Sequence, residues 1–296
     1  MKKNVTEGRK RPVDALDVII FIVLTLFALI IIYPFYTAII ASIMTAQEYN
    51  LTRIITFPKT VCWDNYRYLL SSNVIWTGYL STLIISISGL VYGLGISVMM
   101  GYALSRPAFP GKKLIFLMIL FTMYFGGGMV PMYLQIKNLN LLNTRAAIVL
   151  MGGVSTFNII IIKGSFEAIP ESLVEAARVD GANDLVIFLR IMLPLQKAIL
   201  ATFALFITVG YWNEWFWSSM VINQTRKFPL QVVLKSIVSS ISADGKNSDR
   251  ISSIQKFYAE GVKMAAVVVT MLPIMMVYPF LQKHFTKGML VGAIKM

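Results

Sequence analysis

Long uncharged runs, with no alternation of polar and apolar residues, set the pattern of this chain. Cutting it at charged residues leaves stretches at 18–47, 68–105, 114–136, 146–162, 198–213 and 264–282. A helix needs about 20 mostly apolar residues to cross the hydrocarbon core of a bilayer. Each stretch holds one such helix, and the fifth extends past Glu214 to about Ser219. The first is the most apolar: 13 of the 15 residues from Val18 to Ile32 are Val, Ile, Leu or Phe. On insertion scales those residues are worth about −4 to −8 kcal/mol together. A helix apolar on every side has to lie in protein or lipid, and six of them leave too little polar surface for a water-soluble fold. Barrel strands alternate in and out, and these runs do not. The pattern predicts an all-α integral membrane protein with six spans, at about 17–41, 76–104, 113–134, 145–163, 195–219 and 262–283. No internal repeat is evident.

Composition agrees. The 296 residues are 57% hydrophobic and only 14% charged, against about 25% charged in soluble domains. The net charge is +13. The basic residues sit between apolar runs and form no single stripe, so they read as loops facing anionic lipid and not as a nucleic-acid surface. With the N-terminus inside, 15 Lys and Arg fall on inner segments and twelve on outer ones. The N-terminal cluster (Lys2, Lys3, Arg9, Lys10, Arg11) and the short Arg106–Lys113 loop lie tight against spans and count most. This predicts an N-in/C-in chain with a cytoplasmic segment at 1–16. The first apolar run exceeds the 7–15 residues of a signal-peptide core, so it reads as an uncleaved span. The outer loops, including the basic stretch 220–262, are long enough to meet an external partner.

Cys62 is the only cysteine and His284 the only histidine. That excludes an internal disulfide and leaves no basis for a metal cluster or a His triad. The 17 methionines are scattered and read as filler in the spans.

The segment between the fourth and fifth runs, Ile169 to Pro194, is more polar and carries turn chemistry. Pro170 suits the first position of a helix, where no N–H is needed. Glu171 and Glu175 lie in the first turns, and the helix dipole favours Glu171 in particular. Ala176 and Ala177 add helix propensity with almost no side chain. Gly181 suits the left-handed position that ends a helix, and Asn183 or Asp184 can cap the next one near Leu185. A short helix with small residues and an acidic edge has the shape to lie in a cleft of another protein.

Glu175-Ala176-Ala177, three residues, Gly181, nine residues, then Ile191-x-Leu193-Pro194 resembles the EAA loop of type I ABC importer permeases. Gly101-Tyr102-Ala103-Leu104-Ser105-Arg106 with Phe109-Pro110-Gly111-Lys112 looks like the loop after span 2 in carbohydrate importers. Trp212-Asn213-Glu214 and the tail from Phe285-Thr286-Lys287-Gly288 to Gly292-Ala293-Ile294-Lys295 are similar to theirs as well. Together these cover nearly the whole chain and point to the maltose-type, oligosaccharide and polysaccharide class. The wording around Gly126-Gly127-Gly128 and Pro131 resembles permeases of Gram-positive bacteria. The resemblance implies a six-helix permease fold in the plasma membrane, with 164–194 as a cytoplasmic coupling loop. Its ATPase-coupling residues would be Glu171, Glu175, Ala176, Ala177, Asp180, Gly181, Leu193 and Pro194. It implies as partners a second, different permease, two ABC ATPase subunits, an extracellular solute-binding protein and a carbohydrate substrate. The sequence holds no G-x-x-x-x-G-K-[ST] phosphate loop, so ATP and Mg would be bound by a separate chain and this one is expected to be no enzyme and to carry no cofactor.

Asn158, Tyr211, Trp212, Asn213 and Glu214 are candidates for a substrate path. Glu214 is the one acidic residue in an apolar stretch, where an ionised carboxylate at the bilayer centre costs about 2.5–3.5 kcal/mol. Two readings stand. It is part of an interfacial aromatic belt with Tyr211, Trp212, Trp215, Phe216 and Trp217, or it faces the pore near an outer gate. Asn158 reads as helix–helix glue or pore lining. Gly89, Gly93 and Gly101 read as packing positions, and Gly126–Gly128 with Pro131 as a kink in span 3.

Overall fold

A computed structural model describes residues 14–52, 57–107, 109–244 and 259–293. These residues form helices, turns and loops, with no strand among them. In chain order the helices are α1 (Ala15–Ile43), α2 (Ala46–Leu51), α3 (Asp64–Ser71), α4 (Asn73–Ser105), α5 (Lys112–Tyr124), α6 (Met129–Asn138), α7 (Arg145–Gly152), α8 (Thr156–Glu167), α9 (Glu171–Val179), α10 (Asp184–Val186), α11 (Leu193–Leu195), α12 (Lys197–Trp212), α13 (Phe216–Val221), α14 (Leu230–Asp244) and α15 (Ala259–Ala293). The expected basic N-terminal cluster, the middle of the 220–262 loop and the last residues of the tail lie outside the described residues.

The chain divides into two compact units, one of 1–66 with 251–268 and one of 67–250 with 269–296. In the first unit, a capping box starts α1. The Asp14 carboxylate accepts the Ala15 N–H at 2.7 Å, and the Asp14 N–H donates to Asp17 at 3.1 Å. Satisfying these first donors lets the helix begin at the edge of the apolar run. From Leu16 to Tyr36 α1 is exposed on every side. Its apolar circumference therefore needs lipid or a partner chain around it. Its far end is tied down, as Asn65 Nδ2 donates to the Ser42 carbonyl at 3.0 Å and the Ser42 and Tyr66 hydroxyls bond at 2.7 Å.

In the second unit α4 is the central post, contacting α7, α8, α12 and α14. Small residues permit this. A Cβ on Gly89 would enter the Tyr211 ring, one on Gly93 would strike the Gly153 carbonyl, and one on Gly101 would come within 2.8 Å of Ile162. The three glycines are packing positions, where backbones approach as closely as membrane helices allow.

Among the described residues, three helices are long and apolar enough to cross a membrane: α1, α4 and the Ala259–Met276 part of α15. Three bent pairs would bring the spans to six, each counted as one. All three pairs depart from the continuous spans expected from the sequence, the fourth because α7 and α8 meet at 53°. The third run is more than kinked. α5 and α6 meet at 116° across Phe125–Gly128, and Gly128 takes φ +85° at the break. Pro131 then sits in the first turn of α6, where its missing N–H costs nothing. The fifth helix does not run on to Ser219. α12 stops at Trp212, and the chain resumes as the separate short α13.

Candidate functional site

The turn chemistry of 169–194 folds largely as read. Pro170 lies one residue outside α9, in the N-cap position, with extended ψ of 130°. At the other end the Ala182 N–H donates to the Ala177 carbonyl at 2.9 Å and the Gly181 N–H to the Arg178 carbonyl at 3.0 Å. With Gly181 at φ +81°, this is a Schellman stop. Asn183 Oδ1 accepts the Val186 N–H at 2.9 Å and caps α10. The segment from 187 to 192 is wound as a π-helix. Pro194 follows it, exposed, and Asp184–Leu195 meets α12 at 80°. Gln196 Nε2 pins this corner to the Ser165 carbonyl at 2.6 Å.

The two faces of α9 differ. Val174 and Ala177 are buried, in one cluster with Val98 of α4, Ile162 and Phe166 of α8, Ile187, Met192 and Phe203 of α12. Leu193 packs against its edge. The Tyr102 ring of α4 lies 5.6 Å from Phe166 and 4.6 Å from Phe188, and the Arg106 guanidinium sits 4.9 Å over Tyr102. Glu171, Leu173, Glu175, Ala176, Val179, Asp180 and Gly181 are exposed, Val179 to 88%. Leu185 next to them is 64% exposed. An apolar surface edged by Glu171, Glu175 and Asp180 thus stands on a helix whose other face is locked into three long helices.

At the α7 end of α12 a cavity of about 290 Å³ opens, lined by Asn158, Tyr211, Glu214 and Trp217 among others. Tyr211 is held there by donating its hydroxyl to the Val149 carbonyl at 2.7 Å. One oxygen of Glu214 accepts the Trp217 N–H at 2.7 Å and the Ser218 N–H at 3.3 Å. That carboxylate caps α13, a role that neither sequence reading contained, and it does so from the cavity wall. The structure brings Asn158, Tyr211 and Glu214 together. It turns Trp212 away to a second cavity, and leaves Asn213 exposed, with the Gln231 amide 3.5 Å from its side-chain oxygen.

One constellation escaped the sequence reading. Asn143, at φ +61°, accepts the Asn223 and Gln224 N–H groups through Oδ1 at 3.2 and 3.1 Å. Its own N–H donates to the Val221 carbonyl at 2.7 Å, and its carbonyl accepts from Lys227 Nζ at 2.7 Å. Arg145 donates to Ser81 at 2.8 Å and to the Arg226 carbonyl at 3.2 Å, and Thr82 accepts the Leu230 N–H at 2.8 Å. Together they clamp the 222–230 loop onto the start of α7 and α4. The asparagine-rich stretch 138–143 was the available signal, since Asn tolerates left-handed backbone. Among the described residues, no group of three or more His, Cys, Asp and Glu side chains is placed to hold a metal.

Known proteins are similar to this chain over most of its length. The polygalacturonan/rhamnogalacturonan transport system permease protein YtcP of Bacillus subtilis is 38% identical over 279 residues, covering 94% of this chain and 98% of that one. Protein LplC of the same organism is 39% identical over 266 residues, 90% of each chain. The arabinooligosaccharides transport system permease protein AraQ of Halalkalibacterium halodurans is 30% identical over 273 residues, 90% and 92%. A solved bacterial ABC transporter involved in the import of the acidic polysaccharide alginate contains a chain that superposes with TM-score 0.86 at 33% identity, over 95% of this chain and all of that one. A second alginate ABC transporter structure, in complex with alginate pentasaccharide-bound periplasmic protein, superposes at TM-score 0.60 and 12% identity, over 90% of this chain and 92% of that one, a likeness of fold alone. Residues 93–291, which include the α9 segment and both cavities' α12 walls, match the family described as "Binding-protein-dependent transport system inner membrane component", and the chain belongs to that family.

Proposed function

We propose that this chain is a permease subunit of an ATP-driven oligosaccharide importer, and that α9 is the element through which the ATPase works it. The observation that carries the reading is the two-faced α9: Val174 and Ala177 share a core with α4, α8 and α12, while Glu171, Glu175, Ala176, Asp180 and Gly181 stand free. A rigid displacement of such a helix moves packed helices with it, because dense cores transmit strain and do not absorb it. Leu193 and Pro194 form the corner that turns this motion into α12. The substrate class follows from relatives named for polygalacturonan and arabinooligosaccharide transport.

In this reading the chain crosses the plasma membrane six times with both ends in the cytoplasm, 1–16 being a cytoplasmic N-terminal segment and 164–194 the coupling loop. It pairs with a second, different permease. Two cytoplasmic ATPase subunits bind ATP and Mg, so this subunit performs no hydrolysis. An extracellular solute-binding protein delivers the sugar, and the Gram-positive relatives favour a cell with a single membrane. Asn158, Tyr211 and Glu214 line the substrate path. Their cavity joins aromatic faces to an amide and a carboxylate, a set suited to sugar C–H faces and hydroxyls. Trp212 and Asn213 stand outside that cavity.

Reconstitution of the four-subunit complex with its binding protein tests this. Ala176→Trp puts bulk on the free face of α9 and leaves its buried face intact. ATPase subunits should fail to co-purify and ATP-driven uptake of labelled galacturonate oligomers should vanish. Undiminished assembly and uptake would overturn the assignment of α9.

A further inference from the structure

The cavity of about 290 Å³ at the α7 end of α12 offers polar atoms as well as rings. Its lining holds one carboxylate, that of Glu214, and no Lys, Arg or His. The other polar side chains on it are the Asn158 amide, the Tyr211 hydroxyl and the Trp217 indole. Tyr211 gives its proton to the Val149 carbonyl. The Trp217 and Ser218 N–H groups both donate to one oxygen of Glu214, Oε1, so the second oxygen takes part in neither bond. The backbone donors at the start of α13 are therefore engaged by this chain's own carboxylate. Lys235, on α14, lies 3.3 Å over the Trp215 ring, and that ring is not part of the lining.

We propose that this cavity selects uncharged sugar residues over uronates, so that the cargo is a neutral or esterified oligosaccharide. This holds on the reading that Asn158, Tyr211 and Glu214 line the sugar's path. A carboxylate on an incoming ring would meet the half-buried Glu214 with no cation on the wall to offset it. Like charges placed face to face discriminate strongly against a wrong ligand, and their repulsion grows as water is displaced. A neutral ring meets the opposite situation. Its hydroxyls donate to the second Glu214 oxygen and to Asn158 Oδ1, and hydrogen bonds to a carboxylate are the stronger kind. Its oxygens accept from Asn158 Nδ2 and Trp217 Nε1. Its C–H face lies against an aromatic ring, the usual partner of apolar surface in such a pocket.

Galacturonate oligomers and their methyl esters share length, linkage and ring hydroxyls, and differ in charge and one methyl group. ATP-driven uptake of each labelled form is measured in proteoliposomes holding the intact complex and its binding protein. Glu214→Gln, which keeps an acceptor for the cap, should lower the ester-to-acid uptake ratio about tenfold, the factor expected for removing one close like charge. Asn158→Asp, which adds a second carboxylate to the wall, should raise that ratio. The same binding protein serves every variant, so its own preference cancels between them. Should Glu214→Gln fail to assemble, the shift in Asn158→Asp decides. A ratio that neither substitution moves overturns the charge selection and leaves the transport reading standing. Absence of ATP-driven uptake of either form by the wild type overturns both.

Discussion

Glu214 accepts the backbone N–H of Trp217 at 2.7 Å, so the one carboxylate in the fifth apolar run starts a new helix while it faces a cavity. Capping and substrate contact can be separated by choice of substitution. Glu214→Gln keeps an acceptor oxygen but removes the charge. It should leave thermal stability within about 0.5 kcal/mol, as it keeps the cap, and lower uptake several-fold. Glu214→Ala should lose about 1 kcal/mol as well. Thermal melting beside proteoliposome uptake reads both, and normal uptake by the Gln variant would confine Glu214 to the cap.

Val174 supports α9 from below. Val174→Ala removes two methyl groups from a site that is 1% exposed and should cost about 2 kcal/mol. The coupling role predicts more than that: ATPase turnover should persist while sugar transported per ATP falls. A proportional fall in both would make Val174 merely structural.

Gly181 at φ +81° sets the exit angle of α9. Gly181→Ala forces an L side chain into the left-handed region at about 1–2 kcal/mol, whereas Gly181→Asn should be milder. Uptake should rank Gly, Asn, Ala in descending order. Equal uptake by all three would show that the exit angle is not used.

Gly93 faces the Gly153 carbonyl with no room for a Cβ. Gly93→Ala has to push α4 away from the α7–α8 corner, at about 1–3 kcal/mol by analogy with overpacked cores. Gly95, where a Cβ meets open space, is the control, and Gly95→Ala should be neutral or slightly stabilising. Thermal unfolding in detergent measures the pair.

Asn143 holds the 222–230 loop through its side chain and its left-handed backbone. Asn143→Gly keeps the backbone and deletes the side-chain acceptor. The loop should become more accessible to protease, by about fivefold if the lost bonds contribute about 1 kcal/mol. Unaltered cleavage would assign the clamp to Arg145 and Lys227 alone.

The sequence by itself determined the membrane class, the position of the apolar runs and the turn chemistry of 169–194. Those depend on local quantities: run length, a capping Asn, a glycine at a left-handed position. Tertiary structure decided the rest. Three glycines in a row weaken a helix, but the 116° angle of the break and the left-handed turn at Gly128 are seen only in the folded chain. Glu214 becomes a cap only because α12 stops at Trp212 and brings the Trp217 N–H within reach. Consecutive aromatics Tyr211 and Trp212 enter different cavities because neighbours along a helix point about 100° apart, and α8 and α15 stand on different sides of α12. Asn143, Ser81 and Lys227 are far apart in the chain, and a hydrogen bond between such residues exists only once the fold has brought them together.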